Sequence, residues 1–208
     1  MGTAERKQFE KSKRRKLILE NAAAIFHKRG FAGATMDAIA KKAQIAVGTI
    51  YLYFKSKSDI YFCLTQQALE DLSKRLKSIV GNKEASPDVK IRKLMFAVEE
   101  FYLQNKDVYA LITRIEAKDG FPIFPEDSLK TLGDLMRSNL GQLEIVIDEG
   151  IRKGLYRRMD PYLRAVVFWS SLIGIIQFQE NRMVQGKRNH RKATMNLFLE
   201  NALAGLKK

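Results

Sequence analysis

The chain has 208 residues, of which 46% are apolar and 29% charged, so it is long enough for a sizeable core in one or two domains. Its single cysteine, Cys63, excludes an intrachain disulfide, and its polar start is unlike a secretory signal, so we expect a cytoplasmic protein. The formal net charge is +14, and residues 1–60 hold +8 of it. Such a basic end suits nucleic acid or an anionic membrane, and a solvated basic surface is an equally open interpretation.

Helical periodicity dominates the chain, which predicts an all-α fold. Residues 1–10 are predicted to form a loose tail, followed by a first helix over 11–29 that Gly30 ends. Thr35 is predicted to cap a second helix. The apolar stripe of that helix consists of Met36, Ile39, Ala40 and Ala43.

A short turn over 44–46 joins the second helix to a third, predicted over 47–54. Gln44 is expected to adopt a left-handed conformation, and Ala46 lacks the hydroxyl that would cap the third helix. Two helices joined in this way form a helix-turn-helix, here at about 35–54, which is a DNA-binding geometry. Ile50 and Phe54 are predicted to be core residues. The outer side instead carries Gly48, Thr49, Tyr51 and Tyr53.

Ser56 begins a capping signal for a long fourth helix, whose apolar residues recur in steps of three and four from Tyr61 to Ile79. Beyond a turn-rich linker, helices are predicted over 88–104, 108–117, 126–153, 161–183 and 189–206. The composition shift near residue 80 predicts two domains. The first is a small basic helix-turn-helix domain over 11–71, and the second is a larger helical domain over 72–208.

The run from Arg15 to Ile60 resembles the N-terminal domain of the TetR family of transcriptional repressors. The resemblance lies in Ala23-Ala24-Ile25-Phe26, Gly30-Phe31, Thr35, Ile39-Ala40, Gly48-Thr49-Ile50-Tyr51, Tyr53-Phe54 and Ser56-Lys57. It implies a ligand-responsive DNA-binding transcriptional regulator. The expected protein is a repressor that a small, largely apolar effector releases from a palindromic double-stranded DNA operator.

The resemblance also implies that the third helix enters the major groove. The residues expected to contact DNA are Thr35, Val47, Gly48, Thr49, Tyr51, Tyr53, Lys55 and Lys57. A lysine in the first turn of a helix opposes the helix dipole, so Lys57 is expected to be favourable beside a phosphate. For Lys55 a solvated side chain is equally open, and for the tyrosines the alternative is packing on a neighbouring helix.

The basic segment over 11–16 has two open interpretations. It follows the phosphate backbone or enters a minor groove, or it is a disordered solubilising tail.

The helix over 161–183 is apolar nearly all round in its middle, so it must be buried on two sides. The resemblance implies a homodimer through the last two helices, with a monomeric core helix as the alternative. The expected interface residues are Val166, Ile173, Phe198 and Ala202. An effector cavity is also implied, although each candidate is individually more typical of a plain core. The candidates are Met95, Phe96, Tyr102, Tyr109, Phe124, Met136, Phe168 and Trp169.

Two other function classes are less favoured. An enzyme is not predicted, because His27 and His190 lie far apart in the sequence and no phosphate loop, metal-ligand cluster or cofactor motif is found. A basic amphipathic peripheral membrane protein would need a helix with a free face of bulky apolar residues. The most apolar run, Val166–Ile176, is shorter than the roughly 18–20 residues of a membrane span, so no membrane partner is predicted.

Overall fold

The computed structural model describes residues 2–108, 124–184 and 188–207. These residues form an all-α fold, as predicted, with no strand in the described ranges beyond an isolated bridge between Tyr156 and Lys207. The helices are α1 (Thr3–Gly33), α2 (Met36–Ala43), α3 (Val47–Tyr51), α4 (Lys57–Gly81), α5 (Pro87–Gln104), α6 (Glu126–Arg152), α7 (Pro161–Val184) and α8 (Arg191–Ala204). Of the predicted helix over 108–117, only residue 108 belongs to the described residues.

The chain divides into two compact units. The first contains residues 1–69 and 105–133, and the second contains residues 70–104 and 134–208. The division therefore falls inside α4, and a segment distant in sequence joins the first unit. The functional division into 11–71 and 72–208 stays a prediction.

Helix α1 begins at Thr3, so the prediction of a loose tail over residues 1–10 is wrong. At this end the backbone N–H of Gly2 donates to the Glu5 carboxylate at 2.8 Å. Polar side chains without an apolar stripe give no helical signal in the sequence, although the segment is helical. Gly30, at φ 66° and ψ 175°, interrupts the helix where the sequence predicted its end.

The core of the first unit is built by α1, α2 and the start of α4. Ile18, Ala22 and Phe26 of α1 are buried, and so are all four predicted stripe residues of α2. Thr35 caps α2 as predicted, because its Oγ1 accepts the backbone N–H of Ala38 at 3.1 Å.

The second unit has an apolar core crossed by a few buried polar contacts. Lys90 is buried and donates to the Glu149 carboxylate at 2.8 Å. The buried Tyr156 donates its hydroxyl hydrogen to Asp88 at 2.7 Å. Apolar side chains that form this core include Leu94, Met95, Val98, Leu143, Ile147, Leu172, Leu199 and Leu203.

Helix α7 is more apolar than the sequence estimate suggested. Its 22 residues from Pro161 to Arg182 include a window of mean hydropathy 1.3, which by length and composition alone suffices to cross a membrane. The estimate based on Val166–Ile176 missed this because the helix continues on both sides of that run. The core helices of soluble proteins that pass the same test of length and composition are mostly buried, whereas only 22% of this window is buried in one chain. The exposed apolar surface of α7 therefore needs an explanation.

Candidate nucleic-acid interface

Helix α3 is short and is anchored to the core of the first unit by two buried side chains. Ile50 is 0% exposed and Phe54 is 2% exposed, as predicted for core residues. The Arg15 guanidinium lies 5.0 Å from the centre of the Phe54 ring and donates to Cys63 Sγ at 3.0 Å. These contacts fix the orientation of α3, although its helical hydrogen bonding covers only Val47–Tyr51 rather than the predicted 47–54.

The opposite side of α3 is open to solvent. Tyr51 is 54% exposed and Gly48 is exposed, while Val47, Thr49 and Tyr53 are partly exposed. We call Val47, Gly48, Thr49, Tyr51 and Tyr53 the recognition face. The structure therefore brings five of the predicted DNA-contacting residues together on one surface of the first unit.

Gly48 has no steric reason within this chain to be glycine. Its φ is not positive, and a Cβ added to it meets no other atom within 4 Å. A glycine in a helix costs about 1 kcal/mol relative to alanine, so its presence here favours a requirement imposed by a bound partner.

The turn before α3 has the conformation that the sequence predicts. Gln44 has φ 54° and ψ 43°, which is the left-handed region. Its backbone N–H caps α2 by donating to the carbonyls of Ala40 and Lys41. Ala46 provides no side-chain cap for α3, so the first N–H groups of that helix receive no hydroxyl from this residue.

Lys57 has partners within the chain that the sequence argument from the dipole of α4 did not include. Its Nζ donates to the carbonyls of Phe31 (3.0 Å), Ala32 (3.3 Å) and Ala34 (3.1 Å). It also lies 4.6 Å from the centre of the Phe31 ring. Those carbonyls lie at the end of α1, where the helix dipole attracts a cation. Lys57 is therefore stabilised without an anion, and a phosphate contact by Lys57 stays a prediction.

Two further predicted contacts lie at the edges of this surface. Thr35 is exposed while it caps α2, and Lys55 is exposed beside the start of α4. Ser56 accepts the N–H of Asp59 at 3.2 Å, and Asp59 accepts the N–H of Lys55 at 3.1 Å, which anchors this loop.

Cys63 is half-buried rather than an exposed reactive thiol. Burial is the largest effect on it and raises the pKa of the thiol, although the nearby Arg15 opposes that rise. The thiolate is therefore disfavoured, unlike that of a nucleophilic cysteine.

The predicted effector-cavity residues fall in both units. Met95, Tyr102 and Phe168 of the second unit are buried, whereas Phe96, Met136 and Trp169 are partly exposed. Phe124 belongs to the first unit, where its ring centre lies 6.3 Å from that of Tyr61 and 5.9 Å from that of Phe62. Tyr109 lies outside the described residues.

The predicted dimer residues Val166, Ile173, Phe198 and Ala202 are all partly exposed in a single chain. Phe198 makes an edge-on contact with Phe168, with the ring centres 5.5 Å apart.

A set of charged residues close to the recognition face extends the basic segment over 11–16 toward the start of α1, by two cations that the sequence interpretation did not include. Arg6, Lys7, Lys11 and Arg14 of α1 line an open cleft together with Leu52 and Tyr53. The steps of four and three between Lys7, Lys11 and Arg14 are the sequence signal that places these three residues on one helical face.

Known proteins with similar sequences are DNA-binding regulators. A family model described as bacterial regulatory proteins, tetR family, matches residues 18–62. The HTH-type transcriptional regulator YhgD of Bacillus subtilis (strain 168) is 28% identical over 167 residues, which cover 78% of this chain and 82% of YhgD. The fatty acid metabolism regulator protein of the same organism is 26% identical over 139 residues, which cover 66% of this chain and 68% of that protein.

A solved structure shows the same fold over most of the chain. The transcriptional regulator FadR from Bacillus subtilis, in complex with stearoyl-CoA, matches with a TM-score of 0.70 and 21% identity, covering 92% of this chain and 98% of that one. These relatives are regulators and not enzymes, and they do not support the membrane-binding alternative. Residues 18–62 of the chain therefore match the tetR family of bacterial regulatory proteins, and the chain is a DNA-binding transcriptional regulator.

Proposed function

We propose that a cytoplasmic homodimer of this chain represses transcription by binding a palindromic operator, with α3 of each subunit in a major groove. The observation that carries the proposal is the recognition face. Its residues Gly48 and Tyr51 are exposed, whereas Ile50 and Phe54 are buried and hold α3 on the core. A helix that reads base edges needs buried side chains that fix its orientation and an outer side that is open to the DNA.

Different residues are assigned different contacts. Thr49, Tyr51 and Tyr53 approach base edges or nearby phosphates, and Gly48 permits close approach of the α3 backbone. Thr35 and Lys55 approach the phosphate backbone, and the exposure of Thr35 before α2 and of Lys55 before α4 supports this assignment.

The DNA proposal is tested by measuring binding of the purified protein to the DNA upstream of its own gene as the salt concentration changes. We expect specific binding that weakens steeply with salt and is lost in Tyr51→Ala. Val89→Ala, which truncates an exposed side chain (41%) on α5, is expected to leave DNA binding unchanged. Absence of specific binding at every salt concentration contradicts the proposal.

The homodimer part of the proposal is supported by exposed apolar side chains on the last two helices. Leu163, Val167 and Phe178 of α7 and Leu197 of α8 are each about half exposed or more. Such a surface on one chain is typical of a protein interface, and a second copy related by two-fold symmetry would cover it. The same symmetry would place two α3 helices on paired half-sites.

A charge introduced on this surface tests the dimer. Val167→Glu is expected to shift the protein from dimer to monomer in analytical ultracentrifugation, because the carboxylate would be buried without a partner. Val89→Glu places the same change on α5, at a residue of similar exposure (41%), and is expected to leave the dimer intact. A wild-type protein that sediments as a monomer at micromolar concentration argues against the proposal.

We infer that the effector is largely apolar and carries an acyl chain. Buried methionine and aromatic side chains of the second unit, Met95, Tyr102 and Phe168, provide the chemistry for such a ligand. The relative named a fatty acid metabolism regulator and the stearoyl-CoA complex of a protein of the same fold support an acyl effector.

The effector is tested with a chain-length series of acyl-CoA thioesters, with free CoA and the free fatty acids as controls. We expect a long-chain acyl-CoA to raise the melting temperature and to release the protein from its DNA, whereas CoA alone does neither. If no member of the series changes either readout, the acyl assignment is wrong while the DNA proposal stands.

A further inference from the structure

We infer that the first turns of α1 form a second DNA-contacting surface, which binds phosphates beside the major groove that α3 enters. We call residues 3–16 of α1 the N-terminal arm. The inference rests on the proposed DNA binding and extends it to a segment outside the matched family region, which covers residues 18–62.

The cations of the arm are aligned along one face. Lys7, Lys11 and Arg14 follow one another in steps of four and three, and Arg6 lies beside Lys7. Glu10 is the one carboxylate that shares the cleft with these four cations. The face therefore carries an excess of positive charge.

This cationic face continues the buried face of α1. Further along the helix, the same row passes through Ile18 and Ala22, which are both 0% exposed. The side of α1 that packs on the core over its second half is therefore exposed and cationic over its first turns. Like charges at neighbouring positions of an exposed helix repel one another and destabilise it. An anion beside the first turns of α1 would reduce this repulsion and so stabilise the helix.

The cationic face is continuous with the recognition face. Arg6, Lys7, Lys11 and Arg14 line a cleft of about 480 Å³ that is shared with Leu52 and Tyr53 at the end of α3. Both sides of the cleft belong to the first unit. When α3 lies in a major groove, this cleft faces a flanking phosphate strand, because the grooves of B-DNA are bounded by phosphates. Charge complementarity and continuity with α3 thus assign the arm to the DNA backbone.

The test compares two variants with equal loss of charge on opposite sides of the arm. Lys7→Gln/Lys11→Gln removes two cations of the cleft face, and Lys13→Gln/Lys16→Gln removes two from the other side, where Lys16 lies 3.8 Å from Glu20. For each protein, the affinity for operator DNA is measured as a function of salt concentration. Two operator DNAs are used, one with the palindrome alone and one with an added helical turn on each flank.

We expect Lys7→Gln/Lys11→Gln to reduce the slope of log affinity against log salt by about 1.8 per subunit, since each phosphate contact contributes about 0.9. This variant is also expected to lose any preference of the wild type for the longer DNA. Lys13→Gln/Lys16→Gln is expected to keep the wild-type slope and that preference. Circular dichroism checks that both variants keep their helical content.

The outcomes separate this inference from the proposed function. If the wild type binds its operator and both variants lower the slope equally, the arm acts as a general basic surface and the inference is overturned. If neither variant changes the slope, the arm does not contact DNA, and the inference again fails while the proposed function stands. If the wild type binds no specific DNA, the proposed function itself fails.

Discussion

At the scale of single residues, the recognition face is marked by side chains that do little for the folded chain. Ile50 and Phe54 are buried and hold α3 in place, whereas Tyr51 and Leu52 are 54% and 78% exposed. A side chain at such exposure buries little apolar surface within one chain and therefore contributes little to its stability. Gly48 is the clearest case, because its lack of a side chain lowers helix stability and no neighbouring atom requires it.

Gly48→Ala is therefore predicted to separate folding from DNA binding. The added methyl group meets open space in the chain, so the free energy of unfolding should rise by about 0.5–1 kcal/mol. In a DNA complex the same methyl group would overpack the interface, at a cost of about 1–3 kcal/mol or roughly 5- to 150-fold in affinity. Thermal unfolding and operator titration measure the two effects.

The matched control is Gly81→Ala in the last turn of α4, where an added Cβ also meets no atom within 4 Å. It should change stability slightly and leave operator affinity unchanged. If Gly48→Ala binds DNA as tightly as the wild type, Gly48 is only tolerated in α3 and does not permit close approach.

At the scale of elements, Lys57 joins the start of α4 to the end of α1. Its ammonium donates to three carbonyls between Phe31 and Ala34 and lies over the Phe31 ring. A cation at the end of one helix satisfies carbonyls that have no partner within that helix. This role stabilises the DNA-binding unit without any DNA.

Lys57→Met is predicted to destabilise the protein in the absence of DNA by about 1–2 kcal/mol, because hydrogen bonds from a charged donor to three carbonyls are lost. Chemical denaturation measures the change. Lys55→Met, at an exposed position two residues earlier, should change stability by less than about 0.5 kcal/mol. If Lys57→Met instead raises stability, the unfavourable charge at the start of α4 outweighs the carbonyl contacts.

Helix α6 depends on a glycine for its contact with the residues that follow it. The buried Tyr156 ring packs directly on Gly150, so a Cβ at that position would overlap the ring. The Tyr156 hydroxyl donates a hydrogen bond to the Asp88 carboxylate at 2.7 Å, and this bond restricts movement of the ring.

Gly150→Ala is predicted to lower the free energy of unfolding by about 1–3 kcal/mol, since overpacking exceeds the gain in helix propensity. That change corresponds to a fall in melting temperature of roughly 2–10 °C for a chain of this size. Gly141→Ala in the same helix is the control, because an added Cβ there meets no atom within 4 Å and should not lower stability. Equal melting temperatures for the two variants would contradict this account of Gly150.

At the scale of the whole molecule, the sequence predicts those features that depend on interactions between residues close together in the chain. The stripe of α2, the Thr35 cap, the left-handed Gln44 and the buried Ile50 all follow from periodicity and backbone chemistry within a few residues. The recognition face followed from the same pattern together with the resemblance of the run from Arg15 to Ile60.

Contacts between residues that are far apart in the sequence could not be predicted from these local patterns. The bonds of Lys57 to carbonyls 23–26 residues earlier and the packing of Phe124 against Tyr61 depend on the tertiary arrangement of the chain. The helical start of α1 was missed for a different reason, because its charged residues give no apolar period. Its cationic spacing was present in the sequence but was not interpreted as a helical face.

The stability of the whole molecule should depend on pH through Glu149, a partly exposed residue of the second unit that pairs with the buried Lys90. Burial raises the pKa of Glu149, but hydrogen bonds from Lys153 and from the buried Lys90 outweigh burial and lower the pKa below its usual range. As pH falls, the unfolded chain therefore binds a proton at this residue before the folded chain does. The stabilisation is present above the unfolded pKa of about 4.3 and is lost as pH falls through the lower folded value.

Glu149→Gln is predicted to reduce the free energy of unfolding by about 2–3 kcal/mol near pH 7, because Lys90 loses its charged acceptor. The difference from the wild type should shrink as pH falls below about 4.3, where the unfolded wild-type chain begins to bind the proton. Urea denaturation at a series of pH values measures both effects. Asp148→Asn removes the neighbouring exposed pair with Arg152 and should cost less than about 1 kcal/mol. A difference between Glu149→Gln and wild type that stays constant from pH 7 to pH 3 would show that the carboxylate charge is not the source of the stabilisation.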